Sequence, residues 1–411
     1  MKAAIISIGD EVVSGQITNT NAAFLSSELE NIGIEPHLHL SVRDNIEDIH
    51  YALKQAIKKC NIIITSGGLG PTPDDLTHKS IGSFFNLPLL LDNVTLRQIK
   101  KKLQPKYKKS IPKINYKQAY KPKSSHWITN LLGTANGIIL KVRDKNQKQK
   151  VIITFPGVPK ELRKMWETHG KKILKNYNSG KFIYSKVLKF TNIGESKLAE
   201  KIFPYLKLKN PRVATYVDTG EVKVRIVGNR KRLINNLAKN ILNTTKEYYF
   251  GEDNQSLENN LVKKLMARKK TLAVAESCTG GLLSKRLTDI SGSSKIFKLG
   301  TITYSNESKT NLLGIKNKVI KDYGSVSKKA ALNMAKGVKS LANTDIGFSI
   351  TGIAGPTGGT KSKPVGLVYF GLSTNRKTIT KKVLFGNYRT RGEIRFLATQ
   401  FALMWLFKHL T

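Results

Sequence analysis

The first third of the chain alternates short apolar runs with stretches of helical spacing. The apolar runs predict strands over residues 2–9, 34–42 and 61–65. Between them, apolar positions recur every three or four residues over 19–33 and 46–58, which predicts two amphipathic helices. Because strand and helix alternate regularly, we expect a doubly wound, mostly parallel α/β sheet with helices on both faces.

The middle of the chain has a different pattern. Apolar runs predict strands over residues 182–190 and 221–227, and helical spacing predicts helices over 195–206 and 233–249. This region is therefore expected to be a small α+β domain.

The last third returns to an α/β pattern. A short apolar strand over residues 271–275 leads into a polar turn and a helix over 282–288. Two more strands lead into a polar segment at 300–309 and a glycine-rich segment at 346–359. Each strand therefore ends in residues suited to chemistry.

A chain of 411 residues is long enough for two or three domains with separate cores. We divide it into residues 1–175, 182–250 and 255–411. The chain opens directly into a strand, and no apolar run approaches the roughly 20 residues that span a bilayer, so we expect no signal peptide and no membrane association. The two cysteines, Cys60 and Cys278, fall in different domains, which predicts a cytoplasmic protein without a disulfide.

The formal net charge is +42, from 70 Lys and Arg against 28 Asp and Glu. Such a charge raises nucleic-acid binding as an alternative function, with the enzyme motifs inactive. Against it, the basic residues are spread through every domain and are not interleaved with aromatic residues on any one element. A diffuse positive surface attracts anionic nucleotides and, weakly, nucleic acid or an anionic membrane. The lysine-rich composition is also typical of an AT-rich genome.

The turn at residues 276–281, Glu-Ser-Cys-Thr-Gly-Gly, joins a strand to a helix at the mouth of the last sheet. Such a turn exposes a hydroxyl and directs backbone N–H groups at an anion, which suits a serine nucleophile or a phosphate cradle. Ser277 would need a base; no histidine lies near it in sequence, but a lysine of lowered pKa can serve. Two alternatives stay open: Ser277 as a helix cap, and Cys278 as the nucleophile instead of a buried thiol.

Glycines and acids also cluster where strands of the first sheet end. Backbone N–H groups of the glycines can wrap a phosphate. Asp74 and Asp75 supply adjacent carboxylates for a divalent cation that bridges phosphate oxygens, and Asp10 adds a third. The alternative is that these acids cap the following helix and bind no metal. The glycines are Gly67, Gly68 and Gly70.

Three segments together resemble the C-terminal domain of the CinA family, the nicotinamide mononucleotide deamidases. They are Glu-Ser-Cys-Thr-Gly-Gly, Tyr-Ser-Asn-x-x-Lys and Thr-Gly-Ile-Ala-Gly-Pro-x-Gly-Gly, in that order. The resemblance implies hydrolysis of the carboxamide of nicotinamide mononucleotide to the acid, with release of ammonia and without a cofactor. It makes Ser277 the nucleophile, with Lys309 and Tyr304 as its activating partners. The implied substrate-binding residues are Thr279, Gly280, Gly281, Thr351, Gly352 and Gly355.

The N-terminal region resembles the MoaB/MogA-like molybdopterin-binding domain as it occurs in CinA proteins. Gly-Asp-Glu-x-x-x-Gly and Gly-Gly-Leu-Gly-Pro-Thr-x-Asp-Asp-x-Thr carry this resemblance. It implies a metal-dependent ADP-ribose pyrophosphatase with a divalent ion on Asp74 and Asp75. Asn136 departs from the family, which has proline at this position, and this puts the geometry of a nearby loop in question.

The middle region is similar to the KH-like domain of the same family, through Gly-Glu-Ser at 194–196 and Ala-Thr-Tyr-x-x-x-Gly-Glu at 214–221. The Gly-x-x-Gly loop of RNA-binding KH domains is not evident, so we expect a structural or dimerisation module. The resemblance also implies a homo-oligomer, with a dimer expected. The competing hypothesis is a basic, competence-related protein that associates with nucleic acid and has inactive enzyme motifs.

Overall fold

The computed structural model describes residues 1–105, 107, 111–144, 146–177 and 184–410. The chain forms two compact units, Met1–Tyr184 with Gly228–Lys231, and Ser185–Val227 with Arg232–Thr411. Within the described residues, no helix is both long enough and apolar enough to cross a membrane.

The first unit contains a six-stranded sheet of order β2-β1-β3-β8-β7-β6 and a separate pair, β4 and β5. Its strands are β1 (Lys2–Ile8), β2 (Glu35–Val42), β3 (Ile62–Ser66), β4 (Leu89–Leu91), β5 (Tyr120–Pro122), β6 (His126–Ile128), β7 (Gly137–Arg143) and β8 (Gln149–Phe155). Its helices are α1 (Asp10–Val13), α2 (Thr20–Asn31), α3 (Ile46–Lys59), α4 (Thr77–Phe84), α5 (Asn93–Leu103), α6 (Pro159–Met165) and α7 (Lys171–Lys175).

Four adjacent strands of this sheet are parallel, and β7 and β6 add an antiparallel edge. The central strand β1 is buried on both faces, which explains its unbroken apolar run. Ile5 packs with Leu25 of α2, whereas Ile6 packs with Leu53 of α3 on the opposite face. The predicted doubly wound, mostly parallel sheet is therefore confirmed.

The second unit begins with a four-stranded sheet of order β10-β11-β9-β12. Its elements are β9 (Tyr184–Phe190), α8 (Glu195–Leu206), β10 (Arg212–Asp218), β11 (Glu221–Gly228), α9 (Lys231–Thr245) and β12 (Tyr249–Glu252). The predicted strand over 182–190 corresponds to β9; Phe182 and Ile183 lie outside the described residues. Strand β10 was missed, because most of its side chains are exposed or half-buried and the apolar alternation is weak.

A five-stranded sheet of order β14-β13-β15-β16-β17 completes the second unit. Strands β14 and β15 flank β13 and run parallel to it, while β16 and β17 are antiparallel. Val274 faces the core built with α15, and Ala275 faces the one built with α14, so helices cover both faces. The elements are α10 (Leu257–Ala267), β13 (Leu272–Glu276), α11 (Leu282–Thr288), β14 (Phe297–Ile302), α12 (Asn306–Leu313), α13 (Asn317–Tyr323), α14 (Lys328–Leu341), β15 (Ile346–Gly352), β16 (Leu367–Ser373), β17 (Thr378–Leu384) and α15 (Arg391–His409).

Candidate functional site

The turn after β13 is held by a buried carboxylate. Glu276 is fully buried and accepts hydrogen bonds from the Leu283 N–H at 3.0 Å, the Ser284 N–H at 2.8 Å and the Ser284 hydroxyl at 2.7 Å. Gly280 and Gly281 both have positive φ, at 57° and 89°, which favours glycine. The start of α11 is thereby tied to the end of β13, and Ser277 is fixed between them.

Lys309 contacts Ser277 at this turn. Its Nζ lies 3.3 Å from Ser277 Oγ and 2.7 Å from the Thr303 carbonyl oxygen, and the lysine is only 1% exposed. Burial lowers the pKa of the Lys309 ammonium. A lysine that loses its proton more readily, in contact with a serine hydroxyl, is the arrangement that a serine nucleophile needs.

Tyr304 contacts Lys309 only through its backbone. Its carbonyl oxygen lies 3.3 Å from Lys309 Nζ, while its side chain is 60% exposed. The Tyr304 hydroxyl accepts a hydrogen bond from Arg391 Nη2 at 2.8 Å, and Arg391 Nη1 donates to the Gly355 carbonyl oxygen at 2.8 Å. Arg391 thus joins two of the three motif segments.

Arg391 and Arg395 are site residues that the sequence analysis missed. Arg395 donates through Nε and Nη2 to the Thr279 carbonyl oxygen, at 3.2 and 2.8 Å. Both arginines lie in the first turns of α15, whose positive end disfavours cations. Two arginines at a helix start are the signal in the sequence that could have found them.

The glycine-rich segment after β15 lies beside the serine turn. The Ser277 N–H donates to the Ile350 carbonyl oxygen at 2.9 Å, which brings Thr351 next to the serine. The Thr351 hydroxyl donates to the Ser325 carbonyl oxygen at 2.8 Å, so it has a structural partner. By contrast, the Thr279 hydroxyl is fully buried and has no hydrogen-bond partner among the described residues.

Cys278 does not have the properties of a nucleophile. Its side chain is buried, and burial raises the pKa of the thiol to about 12. Because the thiolate is the reactive form, this cysteine stays a protonated, inert thiol at neutral pH.

The glycines of the first unit pack tightly at the ends of β1 and β3. A Cβ on Gly67 would lie 2.0 Å from the Ile8 carbonyl oxygen, and one on Gly68 would lie 2.3 Å from Thr77 Oγ1. Both residues have positive φ, at 109° and 64°. Close packing thus accounts for these glycines even without a ligand.

The three predicted metal ligands have different environments. Asp75 accepts hydrogen bonds from the Gly70 N–H at 2.7 Å and the Thr72 N–H at 2.8 Å, so its carboxylate closes the loop. Asp10 and Asp74 are exposed. Within the described residues, no three His, Cys, Asp or Glu side chains are grouped closely enough to hold a metal ion.

These acids nevertheless line one cleft of about 550 Å³ together with the glycine loop. Asp44, which the sequence analysis missed, also lines it and accepts a hydrogen bond from the Asp10 N–H at 3.0 Å. Burial, with the negative charges of Glu11, Asp10 and Asp75, raises the pKa of Asp44. The cleft therefore concentrates negative charge in a strongly basic chain.

Asn136 has a clear structural role. It is buried, and its Oδ1 accepts a hydrogen bond from the Asn130 N–H at 2.8 Å. Asn130 Nδ2 in turn donates to the Ala135 carbonyl oxygen at 3.0 Å and to Glu161. The asparagine thus holds the loop in place by a side-chain hydrogen bond that a proline could not make.

Three family models match consecutive parts of the chain. They are a "Probable molybdopterin binding domain" over residues 4–176, a "Damage-inducible protein CinA KH domain" over 185–251 and a "CinA C-terminal domain" over 254–410.

Two relatives match nearly the whole chain, and a solved structure matches part of it. A CinA-like protein of Prochlorococcus marinus is 43% identical over 410 residues, which cover 97% of this chain and 93% of the relative. A CinA-like protein of Nostoc punctiforme is 43% identical over 411 residues, 98% of each chain. A crystal structure titled the protein CinA with unknown function, from Thermoplasma acidophilum, is 34% identical and covers 42% of this chain and 97% of that chain, with a TM-score of 0.38.

Proposed function

Because this chain belongs to the CinA family, we propose that its last domain hydrolyses the carboxamide of nicotinamide mononucleotide with Ser277 and Lys309. The products are nicotinate mononucleotide and ammonia. The observation that supports this proposal most directly is the 3.3 Å contact between the Ser277 hydroxyl and the buried Lys309 amine.

In the first step, neutral Lys309 takes the proton from Ser277 Oγ, and Oγ forms a bond to the carboxamide carbon. The negative charge moves to the carbonyl oxygen. The Gly280 N–H already donates to the Ser277 carbonyl oxygen, so we assign this oxyanion to the N–H groups of Cys278 and Thr279. The C–N bond then breaks, and the leaving nitrogen receives the proton from Lys309 and departs as ammonia.

In the second step, water hydrolyses the acyl-enzyme. Lys309 accepts a proton from the water, whose oxygen bonds to the acyl carbon, and the ester bond to Ser277 Oγ breaks. The proton returns to Oγ, which restores the enzyme and releases the acid. The three backbone carbonyls around Lys309 Nζ, those of Thr303, Tyr304 and Ser305, hold the ammonium in place between the two transfers.

Arg391 is the residue that we assign to the phosphate of the substrate. Its guanidinium already spans from the Tyr304 hydroxyl to the Gly355 carbonyl oxygen, beside the serine turn. A phosphate that displaces both neutral acceptors would form a charge-assisted, bidentate pair with the guanidinium, which is stronger than the two bonds it replaces. The glycine segment that contains Gly352 and Gly355 then allows the ligand to approach the backbone closely.

The test is ammonia release from nicotinamide mononucleotide by purified protein. We expect the wild type to release ammonia and Ser277→Ala to fall to the background rate, because no nucleophile remains. Cys278→Ala is the matched control; it removes the adjacent buried thiol and should keep activity. Loss of activity in Cys278→Ala but not in Ser277→Ala would reverse the assignment, and no release by the wild type would reject the proposed activity.

A second activity, hydrolysis of ADP-ribose at its diphosphate, is supported by the acidic cleft of the first unit. Asp10, Asp44 and Asp74 offer hard oxygen donors of the kind that Mg²⁺ prefers, and one or two carboxylates with substrate phosphates are enough to hold such an ion. The bound ion would neutralise the diphosphate charge.

The test of this second activity is release of AMP from ADP-ribose. We expect that chelation of the metal with EDTA abolishes AMP release and that Ser277→Ala leaves it intact. AMP release that persists in EDTA would reject the metal requirement.

A further inference from the structure

Basic side chains collect around a cleft of about 480 Å³ at the end of the last sheet where β13 and β15 begin. Ser277 follows the opposite end of β13. Arg268, Lys270, Arg376 and His409 line this basic cleft. It is therefore separate from the serine turn, although it belongs to the same sheet.

The positive charge comes from four different segments. Arg268 follows α10, Arg376 and Lys377 lie between β16 and β17, Lys381 is on β17, and Lys408 is in the last turn of α15. Burial and the charges of Lys377 and Lys381 lower the pKa of His409, as burial and the charges of Arg268 and Lys408 do for Lys264. Residues far apart in the sequence therefore form one positive surface, which the even spread of lysines along the chain did not reveal.

One carboxylate lies among the described lining residues, and it is already paired. Asp345 accepts from Lys270 Nζ at 2.8 Å, from the Thr271 N–H at 2.9 Å and from the Thr271 hydroxyl at 2.9 Å. These hydrogen bonds lower the pKa of Asp345 to about 2, against the opposing effect of burial. Asp345 thus neutralises Lys270 and leaves Arg268 and Arg376 without compensation from the lining.

Helix dipoles explain only part of this surface. Cations at a helix C-terminus are stabilised by the partial negative charge there, which accounts for Arg268 and Lys408. Arg376 and Lys377 lie in the turn between β16 and β17 and belong to no helix themselves, although Lys377 is close enough to His409, at the end of α15, to lower its pKa. Because the cleft holds several cations together, an external anion would stabilise their charge.

We propose that the basic cleft binds the phosphate backbone of a nucleic acid. Several cations along one surface fit a chain of phosphates better than one small anion. The apolar lining residues, Ile346 and Leu410, are buried, so they offer little to insert into a membrane. Apart from His409, the described lining residues include no aromatic side chain to stack on bases, so the binding is indifferent to sequence.

The experiment compares two triple variants of the full chain that remove equal charge. Arg268→Ser/Arg376→Ser/Lys377→Ser alters the cleft, and Lys316→Ser/Lys318→Ser/Lys321→Ser removes three exposed lysines around α13. Fluorescence anisotropy with labelled single-stranded and duplex DNA of random sequence, over a series of NaCl concentrations, gives affinity and salt dependence. Circular dichroism and melting temperature show that each variant is folded.

We expect the cleft variant to lose roughly tenfold or more in affinity, and the slope of log K against log salt to fall by about three. The control variant should stay within about twofold of the wild type. Equal losses in both variants would overturn the proposal in favour of a diffuse surface charge. Binding to vesicles rich in anionic lipid without binding to DNA, or no DNA binding by the wild type at low salt, would also overturn it.

Discussion

In the serine site, the two groups that would react already touch: Ser277 Oγ and Lys309 Nζ are 3.3 Å apart, and both residues are buried. In the acidic cleft, Asp75 is engaged by its own loop, and Asp10 and Asp74 face solvent. The protein alone thus forms the contact between Ser277 and Lys309, whereas the carboxylates of Asp10 and Asp74 stay exposed to solvent and would be brought together only if the proposed cation bound.

The largest expected effect comes from Lys309, the proposed base of the serine site. Replacement by Met removes the proton acceptor, and we expect kcat for ammonia release to fall by about 10²–10⁴-fold. Lys309→Arg is the control, because it keeps a positive charge but does not deprotonate at neutral pH. If Lys309→Arg retained the wild-type kcat, proton transfer by this residue would be ruled out.

The pH dependence of wild-type activity tests the proposed role of Lys309 as a base. The lysine acts as a base only when neutral, so activity should rise with pH and level off above the pKa of Lys309. Because burial lowers this pKa, the rise should be centred below 10.5, the ordinary value for lysine. A kcat–pH profile would show it; activity that falls over the same range would contradict the role as a base.

The acidic cleft is tested by comparing Asp74 with Asp75. Asp75→Ala removes the acceptor of two backbone N–H groups, so we expect a stability loss of about 1–3 kcal/mol together with loss of ADP-ribose hydrolysis. Asp74→Ala should reduce hydrolysis with little change in melting temperature, because Asp74 is exposed. Chemical denaturation and AMP release measure the two properties. Equal destabilisation by both variants would show that Asp74 also has a structural role.

A smaller effect is expected from Arg391. Arg391→Gln should raise KM for nicotinamide mononucleotide by about tenfold, or about 1.4 kcal/mol, because a charged contact to the phosphate is lost. Nicotinamide riboside, which has no phosphate, is the matched substrate and should be affected much less. An equal rise in KM for both substrates would place Arg391 in the support of the turn and not at the phosphate.

The strands that could be predicted from the sequence are those whose side chains are buried along most of their length. Strands β1 and β13 are buried along almost their whole length and read as unbroken apolar runs. Strand β10 has few buried side chains and gave no such signal. Local patterns therefore report a strand only when the core covers it.

The site residues also divide into those that the sequence predicted and those that it did not. The motifs identified Ser277 and Lys309, although 32 residues separate them, because the family resemblance joined the segments. Arg391 and Asp44 fell outside the quoted motifs, and only the folded chain brings them to the sites. The basic cleft was missed for the same reason, since its charges come from four segments.

The smallest expected effect concerns the stability that Asp345 gives to the strands leading to the serine site. Asp345 ties the starts of β13 and β15 together through Lys270 and Thr271. Its folded-state pKa is about 2, below the ordinary 3.8, so this carboxylate stabilises the fold above about pH 4, and the contribution disappears as the pH falls through 2. Asp345→Asn should therefore lower the melting temperature at neutral pH. The difference in melting temperature between the variant and the wild type should decrease as the pH falls from 4 towards 2. A difference in melting temperature that does not depend on pH would show that the hydrogen bonds to Asp345 stabilise the strands without its charge. The ion pair with Lys270 would then contribute nothing to the geometry of the serine site.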